Sequence, residues 1–351
     1  MLTNTILFVP GILIHDRFRG ALSAMLLSLP IGYLLAHFFT KVMSRFPGQG
    51  LPEIFKSVLP KWIRIPYTVF LAAMWFATGS MVLVTYSRIL QRFVSPDFNL
   101  FVLIAFIGIV CAWTSSNNSK TVLYITEIVL LLNLPFLAII LFKAISGHMN
   151  WDAIKLMRHY VLAPPSWPAL AAATYLFTGY INWSIFNRDF TINMKKQRLW
   201  LIPIVGLLTL STSFFIPIGY HGTLGVENFI YIWVSTADSM RLEFGFIERV
   251  LYIFLLLYFS ITMLFISITW HVGSELFKSV LTRNLDPLMQ RYPQRSLLII
   301  SLIPFVMAEA TARIFNEKQY LILASTWFQL RLPVEIMLVI TVCYLGRRRT
   351  S

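Results

Sequence analysis

What this chain has least of is charge, followed by cysteine. Charged residues make up only 13% of the sequence, and the two cysteines, Cys111 and Cys343, lie far apart in separate apolar runs. That placement argues against a disulfide framework and against a cysteine-based metal site, and leaves both as packing residues. The six histidines (His15, His37, His148, His159, His221 and His271) show no ligand spacing, and there is no Gly-rich phosphate loop, Walker motif or nucleophile elbow. The sequence therefore offers no support for an enzyme, a bound metal or a cofactor. Acidic residues are the scarcer charge: 15 against 29 Lys and Arg, a formal net charge of +14. The basic residues fall between apolar runs rather than on one amphipathic face, which argues against nucleic acid as the partner.

What is abundant is apolar: 57% of residues are hydrophobic and the mean hydropathy is +0.71. A helix needs about 20 mainly apolar residues to cross the hydrocarbon core, and backbone groups there must be satisfied within helices or closed barrels. The runs are long and lack the alternation of barrel strands, so the reading is an all-α integral membrane protein with about ten spans. They fall at roughly 1–14, 20–43, 66–90, 99–114, 119–144, 167–187, 199–219, 246–275, 296–315 and 320–346. Residues 1–346 then form a single transmembrane domain, with a short basic tail at 347–351.

Alternate connections differ in Lys and Arg content, 17 against 10, and the richer set, which includes Arg347, Arg348 and Arg349, is read as cytoplasmic. An even number of spans puts both termini on that side. Trp62, Trp151, Trp167 and Trp200 sit near span ends as interfacial anchors. The segments Leu51 to Trp62 and Trp151 to Pro168 read as stretches lying along the interface.

The first span is short, with only about 13 apolar residues before His15 and Asp16. It lacks the basic n-region and the small-x-small site of a signal peptide. It is read as half of a broken helix, or as the product of a start codon placed too late. Thr3-Asn4-Thr5 followed by Pro10-Gly11 interrupts this span, and Phe177-Thr178-Gly179-Tyr180 followed by Asn182 interrupts the sixth. Transporters commonly build a midplane site from such discontinuous helices, and a separation of five spans is what a five-plus-five inverted repeat requires, here about 1–144 and 167–346. The competing reading is that Gly179 and the threonines only allow close helix packing.

Ionisable residues inside spans are costly and therefore informative. Glu127 in the fifth span and Glu309 in the ninth are candidates for ion coupling, with Glu127 open to three roles: a protonated carboxyl, an interhelical hydrogen-bond partner or a proton relay. Arg331 and Glu335 are spaced i,i+4 across Pro333, which favours a structural ion pair. Glu248 and Arg249 stand at the mouth of the eighth span.

Several stretches carry a family resemblance: Thr5-Ile6-Leu7-Phe8-Val9-Pro10; Ser44-Arg45-Phe46-Pro47-Gly48 with Leu51-Pro52-Glu53; Phe177-Thr178-Gly179-Tyr180; and Met240-Arg241-Leu242 to Phe246-Ile247-Glu248-Arg249. In their order and positions the chain resembles the spore germination permeases, the membrane B subunits of germinant receptors, within the amino acid/polyamine/organocation transporter superfamily. The resemblance implies a LeuT-like inverted repeat, with a pocket at the first, third, sixth and eighth helices. It also implies assembly with an A subunit and a lipoprotein C subunit, and residence in the endospore inner membrane. Two positions depart from the family pattern. Thr3-Asn4-Thr5 stands where glycine is usual, and Ile181-Asn182 where many relatives carry an acidic residue, so a different ligand or a lost coupling ion would each fit.

Three functions follow as expectations. The chain is a receptor subunit that binds a small nutrient germinant, such as an amino acid; or a proton- or sodium-coupled amino-acid symporter; or a membrane scaffold with a vestigial pocket. The ligand-binding residues expected are Thr3, Asn4 and Thr5 facing Thr178, Gly179, Tyr180 and Asn182, with Ser80, Tyr258 and Thr262 contributing from the third and eighth spans.

Overall fold

The computed structural model describes residues 2–147, 149–190, 199–241, 249–281 and 293–348. Among the described residues the chain is helical, with one isolated bridge between Arg241 and Arg249 and no strand. In hydrocarbon a helix satisfies its backbone internally, and seven helices are long and apolar enough to cross a membrane. They are α3 (Ala21–Met43), α5 (Lys61–Phe93), α7 (Ser119–Ser146), α11 (Leu201–Gly225), α13 (Val250–Leu281), α14 (Pro293–Ile314) and α15 (Glu317–Arg348). The molecule is a multi-pass membrane protein.

The other three expected spans take shorter forms. The fourth is α6 (Leu100–Ser115), whose first turn is capped by Asn99 accepting from the Phe101 amide at 2.9 Å. The first divides into α1 (Leu2–Leu7) and α2 (Val9–His15), parted at Phe8, because Pro10 in the first turn of α2 has no N–H to continue the ladder. The sixth comprises α9 (Trp167–Tyr175), a 3-10 segment (Thr178–Asn182) and α10 (Trp183–Phe186), then a last 3-10 turn (Asn187–Asp189).

Three short helices lie in connections: α4 (Leu51–Val58), α8 (Trp151–Leu156) and α12 (Ile232–Asp238). The apolar face of α4 is covered by protein, with Leu51, Ile54 and Phe55 buried among Phe39, Phe186 and Leu276. Seven residues are too few to span, so α12 was not foreseen; Ile232, Trp233, Val234 and Ala237 bury it against the bundle instead.

The core lies along α5 and α13, which pack together over their length and contribute the buried Trp75, Tyr86, Tyr258 and Trp270. By contrast, α7 is peripheral: only Val122, Asn133, Ile140 and Ala144 of its 28 residues are buried. The loop between α2 and α3 is locked by a close approach. Gly20 has φ +83°, and a Cβ there would stand 2.0 Å from the Pro164 carbonyl oxygen, so the start of α3 rests directly on the loop before α9. Beside it Ser166 donates to Asp16, while the buried Arg17 donates to the Ile14 carbonyl at 2.9 Å and to Glu227 at 2.7 Å.

Candidate ligand-binding site

The sixth span is where helical regularity fails, and local chemistry explains why. Glycine weakens a helix, and threonine hydroxyls compete for backbone carbonyls; the Thr178 hydroxyl turns back onto the Tyr175 carbonyl at 2.8 Å. The interruption takes the form of a tightened 3-10 segment rather than the open chain expected of a broken helix. Phe177 (φ −88°, ψ −11°) and Asn182 (φ −67°, ψ −19°) both stay in the right-handed region. Tertiary packing holds this shape. The Phe177 ring is seated between Gly32 of α3 and Gly206 of α11, where an added Cβ would lie 2.3 Å and 2.2 Å from ring carbons.

The far end of the span is pinned to the Arg45-Phe46-Pro47-Gly48 turn. The Asn187 amide nitrogen donates to the carbonyls of Met43 (3.2 Å), Phe46 (2.7 Å) and Gln49 (2.8 Å). Next to it Arg188 donates to Glu53 at 2.8 Å and 3.1 Å and to Glu275 of α13 at 2.6 Å.

A cavity of about 50 Å³ lies against the 3-10 segment. Its walls come from α5 (Trp75, Thr78), the segment itself (Thr178, Asn182), α13 (Phe265, Thr269) and α15 (Trp327, Arg331, Glu335). Asn182 accepts from the Trp75 indole at 2.9 Å. The Tyr180 hydroxyl donates to Glu335 at 2.5 Å. Arg331 and Glu335, each 4% exposed, form an ion pair on one face of α15, which continues as a helix through Pro333. The other guanidinium arm donates to the Ala171 carbonyl at 2.5 Å and the Thr174 hydroxyl at 3.1 Å, and the group stands 5.1 Å over the Tyr175 ring. The pair thus joins α15 to α9 through charge-assisted bonds in a low-dielectric setting.

Of the residues expected at a ligand site, Thr178 and Asn182 line this cavity, Tyr180 reaches it through Glu335, and Gly179 belongs to the 3-10 segment. The rest lie apart. Thr3 is buried and donates to the Ile261 carbonyl at 3.3 Å, and Ser80 donates to the Pro304 carbonyl at 2.7 Å. Tyr258 and Thr262 are fully buried, Tyr258 with its ring 5.2 Å from that of Tyr86. The side chains of Asn4 and Thr5 lie outside the described residues, as does Glu248. The cavity therefore draws on the third, sixth, eighth and tenth expected spans, with α15 in the place anticipated for the first. Glu127 is exposed on α7 and Glu309 sits on α14; neither borders the cavity. Sequence reasoning missed Trp75, Thr269 and Trp327 as wall residues. The available signal was that Trp327, Arg331 and Glu335 recur every four residues on one helix face.

A groove of about 820 Å³ opens at the end of the bundle where α2 stops, bordered by His15, Asp16, Arg19, Glu227 and Lys318. Phe8 lines that groove, and Tyr175 and Trp327 line the small cavity. Between them stands the buried Phe328, 6.0 Å from Phe8, 4.8 Å from Tyr175 and 5.4 Å from Trp327 between ring centroids. Four aromatic rings thus separate groove from cavity.

The family model described as spore germination protein matches residues 1–314. The chain belongs to that family. No curated protein matches it. Membership in the spore germination family, joined to seven membrane-crossing helices, makes this chain a germination-related membrane permease. The turn that receives Asn187 and the segment that forms the cavity wall both lie inside the matched region, whereas Trp327, Arg331 and Glu335 lie beyond it.

Proposed function

We propose that the chain is the membrane-embedded subunit of a spore germinant receptor, and that it binds a small nutrient, an amino acid, in the cavity beside Thr178 and Asn182. One observation carries the reading: a small, mainly apolar cavity, with a charged pair among its wall residues, sits in the interior of a lipid-embedded bundle where a helix leaves α geometry. Buried charge and irregular backbone are tolerated in membranes where they line a cavity or a ligand path, and 3-10 segments inside helices mark hinges. Occupancy would be signalled by differential affinity for two conformations of that hinge.

In this reading the helices form ten crossings arranged as a five-plus-five, LeuT-like repeat, with both termini cytoplasmic. The receptor would be completed by an A subunit and a lipoprotein C subunit in the endospore inner membrane. Glu127 and Glu309 keep a role only if transport accompanies binding. Thr178, Gly179, Tyr180 and Asn182 are the ligand-side residues; Thr3, Ser80, Tyr258 and Thr262 act through packing.

The direct test is binding of labelled amino acids to the purified chain, paired with germination of spores carrying variants. Gly179→Leu is expected to abolish the nutrient response while membrane insertion stays normal, because it places a bulky side chain in the 3-10 segment that walls the cavity; normal germination would remove the site from this position. Strong accumulation of labelled amino acids in proteoliposomes by this chain alone would sink the receptor-subunit reading in favour of symport.

A further inference from the structure

Another groove, of about 810 Å³, opens where α4, the start of α5, the last 3-10 turn of the sixth span and the end of α13 meet. Lys56, Lys61, Arg64, Arg188 and Lys278 line it against two carboxylates, Glu53 and Glu275. Both carboxylates are already engaged: Arg188 donates to each of them, and Lys278 stands 3.9 Å from Glu275. Lys56, Lys61 and Arg64 have no carboxylate partner among the described residues, so three cations share one groove without counter-charge. Lys61 and Arg64 belong to the first turn of α5, which has no acidic residue and no side-chain cap; there the positive end of the helix dipole makes cations unfavourable. Neighbouring α4 carries the usual remedy, since Glu53 in its first turn accepts from the Gly50 amide at 2.8 Å. Membrane topology asks for basic residues near span ends, but not for their convergence on one groove from two helices.

We propose that this groove binds an anionic phospholipid by its phosphate, with Lys56, Lys61 and Arg64 as the recognising side chains. The site lies apart from the nutrient cavity and does not depend on the receptor reading. Basic pockets between membrane helices at the water interface take such headgroups. Arg64 offers phosphate a planar pair of donors, and the two lysines add point charges. The neighbouring side chains favour a lipid over a soluble anion. Ile65 and Val280 line the same groove, and Trp62, 77% exposed, stands beside Lys61 with the exposed Ile63 next to it. Tryptophan in such a position marks the headgroup level of a bilayer, so cations and apolar surface adjoin as phosphate and acyl chain do in a phospholipid. The volume lies within the roughly 300–1,000 Å³ of pockets that hold small organic groups.

The test is equilibrium titration of the purified full-length chain, in non-ionic detergent, with phosphatidylglycerol, with zwitterionic phosphatidylcholine and with glycerol phosphate, which lacks the acyl chains. Phosphatidylglycerol is expected to bind saturably and at least about tenfold more tightly than either of the others. Lys61→Gln with Arg64→Gln should weaken it about 10- to 30-fold, on the order of fivefold for each basic residue removed. Lys61→Arg with Arg64→Lys keeps both charges and should retain most of the affinity. Lys41→Gln with Arg45→Gln removes the same charge from exposed positions that do not border the groove, and should leave binding unchanged. Thermal unfolding without lipid checks that all three double variants are folded. Equal binding of phosphatidylglycerol and phosphatidylcholine overturns the site, and so does an equal loss in the two glutamine variants, which would mean diffuse attraction to a positive protein. Glycerol phosphate that binds as tightly as the lipid overturns the phospholipid as occupant, as does an acidic peptide that displaces the lipid at equal concentration.

Discussion

Two carboxylates in apolar helices of this chain meet the bilayer in opposite ways. Glu335 on α15 is 4% exposed, paired with Arg331 and bonded by Tyr180. Glu127 on α7 stands exposed among the exposed side chains of Tyr124, Ile128 and Leu131. The difference follows from the helices that carry them. On α15 the charged face is turned toward α9, where Ala171 and Thr174 supply acceptors; α7 lies at the edge of the bundle, where the described residues bury only four of its side chains. A charge inside the bundle is fixed by partners and belongs to the site, whereas a charge on the rim belongs to whatever surrounds the protein.

The comparison breaks most sharply at Arg331. Arg331→Ala leaves Glu335 buried without its cation and is expected to cost about 3–5 kcal/mol of stability. Replacing both members together, Arg331→Met with Glu335→Leu, should recover most of that loss, because a buried pair is often no more stable than an apolar pair of similar volume. Thermal unfolding of the two variants in detergent measures the difference. A single variant as stable as wild type would mean that the pair is not buried in the membrane-embedded protein. The double variant should still fail to respond to nutrient, which separates the structural part of the pair from its part at the cavity.

A smaller effect is expected behind the cavity. Gly32→Leu intrudes on the Phe177 ring, which approaches the glycine closely. Overpacking of this kind costs about 1–3 kcal/mol, and here the strain falls on the 3-10 segment. The expected outcome is a lowered unfolding temperature together with weakened nutrient binding. If stability falls and binding is untouched, Phe177 serves packing alone and the hinge does not depend on its seat.

Much of this was legible in the sequence, for identifiable reasons. Long apolar runs gave the seven crossing helices, because the bilayer sets their length, and the i,i+4 spacing of Arg331 and Glu335 already put them on one face. Thr178 and Gly179 marked the irregular segment through their own backbone chemistry. What could not be read was contact between distant parts. Arg331 meets Ala171 across 160 positions, and nothing in either local pattern names the other. For the same reason α15, rather than α1 or α2, stands across the cavity from the 3-10 segment. The choice between an unwound and a 3-10 interruption was equally hidden, since it depends on where Gly32 and Gly206 seat Phe177. The short helix α12 escaped because its apolar run is too brief to stand out from a connection.

The smallest expected effect sits at the other pole of the comparison. Glu127 has no bonding partner among the described residues, so Glu127→Leu removes no contact that the isolated chain makes. In detergent the variant should unfold at the wild-type temperature and bind labelled amino acid with wild-type affinity, while the same substitution lowers the cost of placing this face of α7 in hydrocarbon. Retained binding with lost germination would locate the role of Glu127 outside the chain, in contact with a neighbouring subunit. Lost binding in the isolated chain would break the comparison itself, because a carboxylate on the rim of the bundle would then be coupled to a cavity that it does not border.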